Sequence, residues 1–259
     1  MARVRIPRLA DPGIVIRLAQ SPEEIEAADQ LVFRNYVNLY WPDDVEVFRN
    51  NRYLSSPARH VGVAIDAGRV IATMSMVEDS PLGLPSDAFR PEPLRRFRLR
   101  EGRLGEMTSF ATDQSVRQPM NVVMLLFKFF FQYSFYYASV DRVVASCRTR
   151  HADFYEKHLG FEKLMAAAPY PYAGNVVCQF VTLDMLAVHE GLSCRNGEDA
   201  KDDLHRFFMV DEHPNVRLPA ARRLPRAREL NGAMLAESRA SDGKKGARPP
   251  RAPSSFFPA

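Results

Sequence analysis

The chain has 259 residues, 46% hydrophobic and 25% charged, enough apolar residues to bury a sizeable core and too many for a wholly disordered chain. The size suits one large globular domain, or one domain with appendages. The net charge of +4 is uneven: from Arg217 onward ten Lys and Arg face Glu229, Glu237 and Asp242, so this end carries +7 and the rest −3, and the high pI gives no case for a nucleic-acid partner.

Residues 13–19 are a β-branched run and a predicted first strand. Ser21, Pro22 and Glu24 then read as N-cap, first helical residue and capping box. Ile25, Ala28, Val32 and Tyr36 recur at helical spacing to about Val37, and Trp41-Pro42 marks the end. Residues 60–65 and 70–77 read as strands joined by the turn Asp66-Ala67-Gly68, a hairpin. A Pro- and Gly-containing loop, 79–87, leads to a short helix opened at Pro93 and ended at Gly102. Arg90, Arg95, Arg96, Arg98, Arg100 and Arg103 lie on it and its flanks, most simply as a solvated face.

Residues 105–111 are the next strand, followed by the turn Val116-Arg117-Gln118-Pro119. The helix predicted over 121–139 carries eight aromatic residues on nearly every side, so it is buried. Plain core packing explains this, and so does an apolar slot lined by part of its surface. The helix is short of the ~20 residues of a membrane span and holds Lys128, Gln132 and Ser134. Residues 142–147 are a strand, and 151–161 a helix ending in Leu-Gly-Phe. A strand at 176–184 and a short helix over 203–209, docked through Phe207 and Phe208, complete the fold. The expected class is α/β (α+β), with a mixed central β-sheet flanked by helices: antiparallel strands early, a βαβ unit late. The expected divisions are an N-terminal arm (1–12), the main domain (13–210), a C-terminal helical extension (211–237) and a disordered basic tail (238–259).

Cys147, Cys178 and Cys194 form no CxxC, and no His pair stands at metal-ligand spacing. We therefore expect no metal site and a reduced, cytoplasmic setting. Cys147 and Cys178 sit in apolar strand patterns and read as core rather than as nucleophiles. No apolar stretch follows the basic first ten residues, so no secretory signal is read there.

Glu106 stands one position into a strand, with Thr108 on its face and Met107 and Ser109 on the other. It is either a general base at the open centre of the sheet or a strand-end charge facing water. Tyr155 is either a proton donor or a packing residue.

Segments 79–87, 101–113 and 151–161, with the arginine-rich helix, resemble the long-chain N-acyl amino acid synthases of the FeeM type. These are relatives of the acyl-homoserine lactone autoinducer synthases in the GNAT superfamily, and the resemblance covers about 14–209. It implies a GNAT-like acyl-CoA N-acyltransferase fold. The implied reaction moves an acyl group from the 4'-phosphopantetheine of acyl carrier protein to an amino acid amine, with no permanently bound cofactor. It places Glu106 as base, Thr108 and Ser109 at the next motif positions, and Tyr155 as the acid that protonates the leaving thiolate. Phe110, Arg34, Trp41, Phe127 and Phe161 are the substrate-binding candidates. Two departures stand out. Ser109 replaces the motif arginine of the autoinducer synthases, and Val32 replaces their N-terminal arginine, with Arg34 close by, which turns the expectation from adenosylmethionine to an amino acid acceptor. The turn 116–121 also lacks the glycines that let backbone amides cradle a diphosphate. An acidic carrier protein is thus expected as partner, docked on Arg95, Arg96 and Arg117, with room for a peripheral membrane contact at product release. The alternatives are an autoinducer-type or exopolymer-system acyltransferase, and a non-catalytic acyl-carrier or lipid-binding module.

Overall fold

The computed structural model describes residues 13–40, 51–88, 90–170, 174–191 and 204–220. The basic tail and Trp41 lie outside them. The elements run β1 (Val15–Leu18), α1 (Pro22–Tyr40), β2 (Arg59–Asp66), β3 (Arg69–Glu78), a 3-10 turn (Pro85–Ala88) and α2 (Pro91–Glu101). Then come β4 (Leu104–Thr112), α3 (Pro119–Tyr136), β5 (Arg142–Arg148), α4 (Thr149–Leu159), β6 (Glu162–Lys163), β7 (Ala168–Tyr170), β8 (Val176–Asp184) and α5 (Met185–His189). A π-turn follows at Arg206–Val210.

The eight strands form one sheet in the order β1-β2-β3-β4-β5-β8-β6, with β7 also on β8. The pair β4–β5 is parallel, joined through α3, and every other named pair is antiparallel. This is the mixed α/β sheet expected from the sequence. The predicted hairpin is β2–β3, and its turn residues Ala67 (φ 45°) and Gly68 (φ 79°) are both left-handed. That mirror-image turn matches the twist of the flanking strands.

α3 is buried from Met124 through Phe135 without a break. Its Phe130 ring lies over Gly62 of β2, where a Cβ would stand 2.6 Å from the ring, so glycine lets the helix approach the sheet. Lys128, buried within this helix, donates to the carbonyls of Phe207 and Asp211. Its ammonium also stands 5.0 Å above the Phe207 ring. Phe207 and Phe208 thus dock on the body as predicted, with Phe208 5.0 Å from Phe131. The opposite face of the sheet is covered by α1 and α2. There Leu104 and Val144 pack with Tyr53, Leu84 and Leu94.

One boundary changes. Residues 211–220, expected to begin a helical extension, contain no helix. They run beside β1: Ile16 N donates to Asn215 O, Arg217 N to Ile16 O, and Asn215 Nδ2 to Ile14 O. The exposed edge of β1 offers unpaired backbone groups, and satisfying them outweighs local helix propensity. The segment is part of the sheet domain.

Candidate active site

The parallel pairing of β4 and β5 runs only from Leu104↔Arg142 to Met107↔Ala145. Beyond it the strands separate, and Thr108, Ser109, Phe110, Ser146, Cys147 and Arg148 line a cavity of about 240 Å³. A bulge sits at the same place. Ser109 and Phe110 together stand opposite Met74 of β3, because pairing steps from Ser75↔Thr108 to Thr73↔Ala111. Ser109 takes φ 53°, a left-handed conformation unusual for a residue with a Cβ. Simple alternation along β4 therefore fails after Thr108, and Met107 to Phe110 all reach the cavity. Tyr36 of α1 fixes the bulge by donating to Phe110 O at 2.6 Å.

Glu106 lies beneath this cavity and does not line it. It is 1% exposed. The Ser86 backbone N–H donates to Oε2 and the Ser86 hydroxyl to Oε1, both at 2.8 Å. The Tyr170 hydroxyl donates to Oε1 at 3.5 Å. Burial pushes the carboxyl up to about 7, the Ser86 and Tyr170 donors oppose that, and Asp87 adds to it. A carboxylate poised near neutral pH suits proton exchange with an amine.

Ser86 is presented by the loop between β3 and α2, and Arg98 holds that loop. Its guanidinium forks onto Asp79 and Asp87, with Nη1 to Asp87 Oδ1 and Nη2 to Asp79 Oδ1 both at 2.8 Å. Asp87 Oδ2 also accepts from Leu84 N at 2.7 Å, closing the turn at Gly83, φ 76°. Arg98, counted from sequence in a solvated face, is a clamp.

Tyr155 lines the cavity from α4. Gly160, φ 75°, ends that helix, and the N–H groups of Gly160 and Phe161 both donate to Tyr155 O. This turn returns Phe161 against the Tyr155 ring at 5.2 Å, while Phe127 of α3 meets the ring edge-on at 5.6 Å. Phe127 and Phe161 are buried supports of Tyr155 and do not line the cavity. Phe110 does line it. Arg34 is exposed on α1, and its charge acts on Asp113 rather than at the cavity. Arg95 and Arg96, 69% and 68% exposed, share Glu92 on α2, and Arg117 is exposed just before α3.

Cys147 lines the cavity, but burial pushes its thiol up to about 12, so it is no thiolate nucleophile at neutral pH. Sequence reasoning missed Ser86, Ser146 and Tyr170 as partners of the site. Ser86 lies in the Leu-Gly-Leu-Pro loop, which was the one available signal.

The model of the family "N-acyl amino acid synthase FeeM" matches residues 27–184. Among solved structures, FeeM, an N-acyl amino acid synthase from uncultured soil microbes, superposes with TM-score 0.58 and 24% identity, over 67% of this chain and 91% of that one. The CoA-dependent acyl-homoserine lactone synthase BjaI, solved with MTA, superposes with TM-score 0.51 and 15% identity, over 86% of this chain and all of that one. No curated protein matches the chain. A mixed sheet opened between β4 and β5, a buried carboxylate below the opening and a family match over most of the described domain lead to one conclusion: the chain belongs to the FeeM N-acyl amino acid synthase family, has a GNAT-type fold and is an N-acyltransferase.

Proposed function

We propose that this enzyme transfers a long-chain acyl group from an acyl carrier protein thioester to the amine of an amino acid in the cytoplasm. The observation that carries the reading is the position of Glu106, below the point where β4 and β5 part. There an amine must lose a proton before it attacks. The neutral amine forms a C–N bond to the thioester carbon, and the carbonyl oxygen takes the negative charge. Backbone N–H groups of the bulged stretch Thr108 to Phe110 are the donors for that oxyanion. As the C–S bond breaks, the thiolate takes a proton from the Tyr155 hydroxyl at the cavity wall, and the proton that the nitrogen sheds on becoming an amide restores that hydroxyl through water. Val32, Met74, Val77 and Met107 give the cavity apolar walls suited to the start of an acyl chain.

The donor assignment rests on α3. Its start, Gln118-Pro119, has no preceding glycine to bring amides against a diphosphate. Exposed Arg95, Arg96 and Arg117 offer an acidic carrier a place to dock. Coenzyme A is the second reading, favoured by the CoA-dependent synthase among the structural matches.

The test is incubation of the purified enzyme with a pool of amino acids and either long-chain acyl carrier protein or the matching acyl coenzyme A, with mass spectrometry of extracted products. An N-acyl amino acid formed much faster from the carrier-protein donor is expected. Equal rates would overturn the donor assignment, and no amide from either donor would overturn the reaction.

A further inference from the structure

We infer that Ser146 and Ser86 form a two-hydroxyl proton wire that carries the proton of the acceptor amine from the cavity to Glu106. This rests on the reading of Glu106 as the base. The problem it solves is geometric. Glu106 is sealed below the cavity, so an amine in the cavity does not touch it. Ser86 is fully buried as well. Ser146, on β5 just past the last parallel pair, lines the cavity and also reaches Ser86.

The hydrogen-bond inventory fixes a direction. A serine hydroxyl has one proton and two acceptor lone pairs. The Ser86 proton is committed to Glu106 Oε1 at 2.8 Å, so Ser86 Oγ meets Ser146 Oγ, 3.3 Å away, as an acceptor. Ser146 then gives its proton to Ser86 and keeps lone pairs for a donor in the cavity, which an ammonium group is.

The transfer balances. One ammonium N–H bond breaks as Ser146 Oγ gains that proton. Ser146 passes its own proton to Ser86, and Ser86 passes its own to Glu106. Both serines end neutral, the ammonium and carboxylate charges cancel, and a free amine is left at the thioester. The proton returns to water by the reverse path after product leaves. A carboxyl held near neutral pH accepts and releases it readily.

Tyr170 offers a rival path, since it lines the cavity and also donates to Glu106. Its contact, at 3.5 Å, is longer than either serine step, at 2.8 and 3.3 Å.

The experiment compares Ser146→Ala, Ser146→Thr, Ser86→Ala, Tyr170→Phe and Glu106→Gln in steady-state amide formation across pH. Ser146→Ala is expected to lower kcat by about 10–100-fold, up to the low end of acid–base effects, because the base itself remains. Its acceptor KM and the pH of its rising limb should stay near wild type, because all donors to Glu106 remain. Ser146→Thr, which keeps the hydroxyl, should recover most of the rate. Ser86→Ala should lower kcat and also move the limb to higher pH, since the carboxylate loses a donor. Tyr170→Phe should lose less than Ser146→Ala. Wild-type kcat in Ser146→Ala with a dead Glu106→Gln overturns the wire and leaves the base in place. A loss in Ser146→Ala that threonine does not rescue, or a larger loss in Tyr170→Phe, also overturns it. An active Glu106→Gln overturns the base reading itself.

Discussion

Ser86 holds Glu106 twice, by its backbone N–H to one carboxylate oxygen and by its hydroxyl to the other, both at 2.8 Å. The two residues come from a loop and a strand 20 positions apart in sequence. The pairing makes the proton affinity of the site depend on a loop that meets the cavity through Pro85 while Ser86 itself stays buried.

The burial of Glu106 has a consequence for pH. Burial raises the Glu106 carboxyl from 4.5 to about 7. Between those values the folded protein holds a proton that the unfolded chain has released. Stability from this group is thus complete below about pH 4.5 and is lost as pH rises through about 7, by on the order of 3 kcal/mol. Thermal melts of wild type and Glu106→Gln from pH 5 to 8.5 check this. The difference between them should shift in favour of the variant as pH rises.

Arg98 should matter to both stability and rate. Arg98→Met leaves Asp79 and Asp87 facing each other without their shared cation. The pair is half-buried, so we expect a loss of about 1–3 kcal/mol rather than the larger cost of a fully buried bridge. Because the loop carries Ser86, kcat should fall as well. Arg98→Lys should recover only part, since one ammonium cannot fork onto two carboxylates. Denaturant melts and initial rates on the same preparations measure it.

Arg95 and Arg96 are exposed and share one carboxylate, Glu92. The double reversal Arg95→Glu with Arg96→Glu should leave the melting temperature and saturated turnover near wild type. The apparent KM for acyl carrier protein should rise by about 3–10-fold at low salt, and the effect should shrink as salt rises. Initial rates against donor concentration at two ionic strengths decide it. An unchanged KM would return both arginines to a solvated face.

Tyr155→Phe keeps the ring that packs on Phe127 and Phe161. The fold should persist while kcat falls by about 10²-fold through loss of the acid. A donor with a more acidic thiol leaving group should narrow the deficit, because its thiolate needs the proton less. Comparison of the two donors in wild type and variant tests the assignment.

Much of this was legible in the chain, for physical reasons. The hairpin turn, the αL glycine Gly160 and the aromatic helix are local signals, and each sits where its chemistry requires. Glu106 and Tyr155 were marked by motif. What could not be read were contacts between distant segments. Ser86 meets Glu106 because Arg98 ties two aspartates together, and nothing local separates a clamping arginine from its exposed neighbours Arg95 and Arg96. The bulge at Ser109 was hidden too, since period-2 alternation assumes a regular strand. Phe127 and Phe161 were substrate-binding candidates, and an aromatic residue marks burial without saying which side is open. The run beside β1 was read as helix because an unsatisfied strand edge is invisible in sequence.

The most direct measurement is the single-turnover rate of amide formation by wild type and Glu106→Gln at pH 8, with acyl carrier protein donor and a saturating amino acid. Glutamine keeps the size and one acceptor oxygen but cannot take the proton. The account predicts a correctly folded Glu106→Gln enzyme that loads the donor and forms amide about 10²–10⁴-fold more slowly. A folded variant that makes amide at the wild-type rate would contradict it.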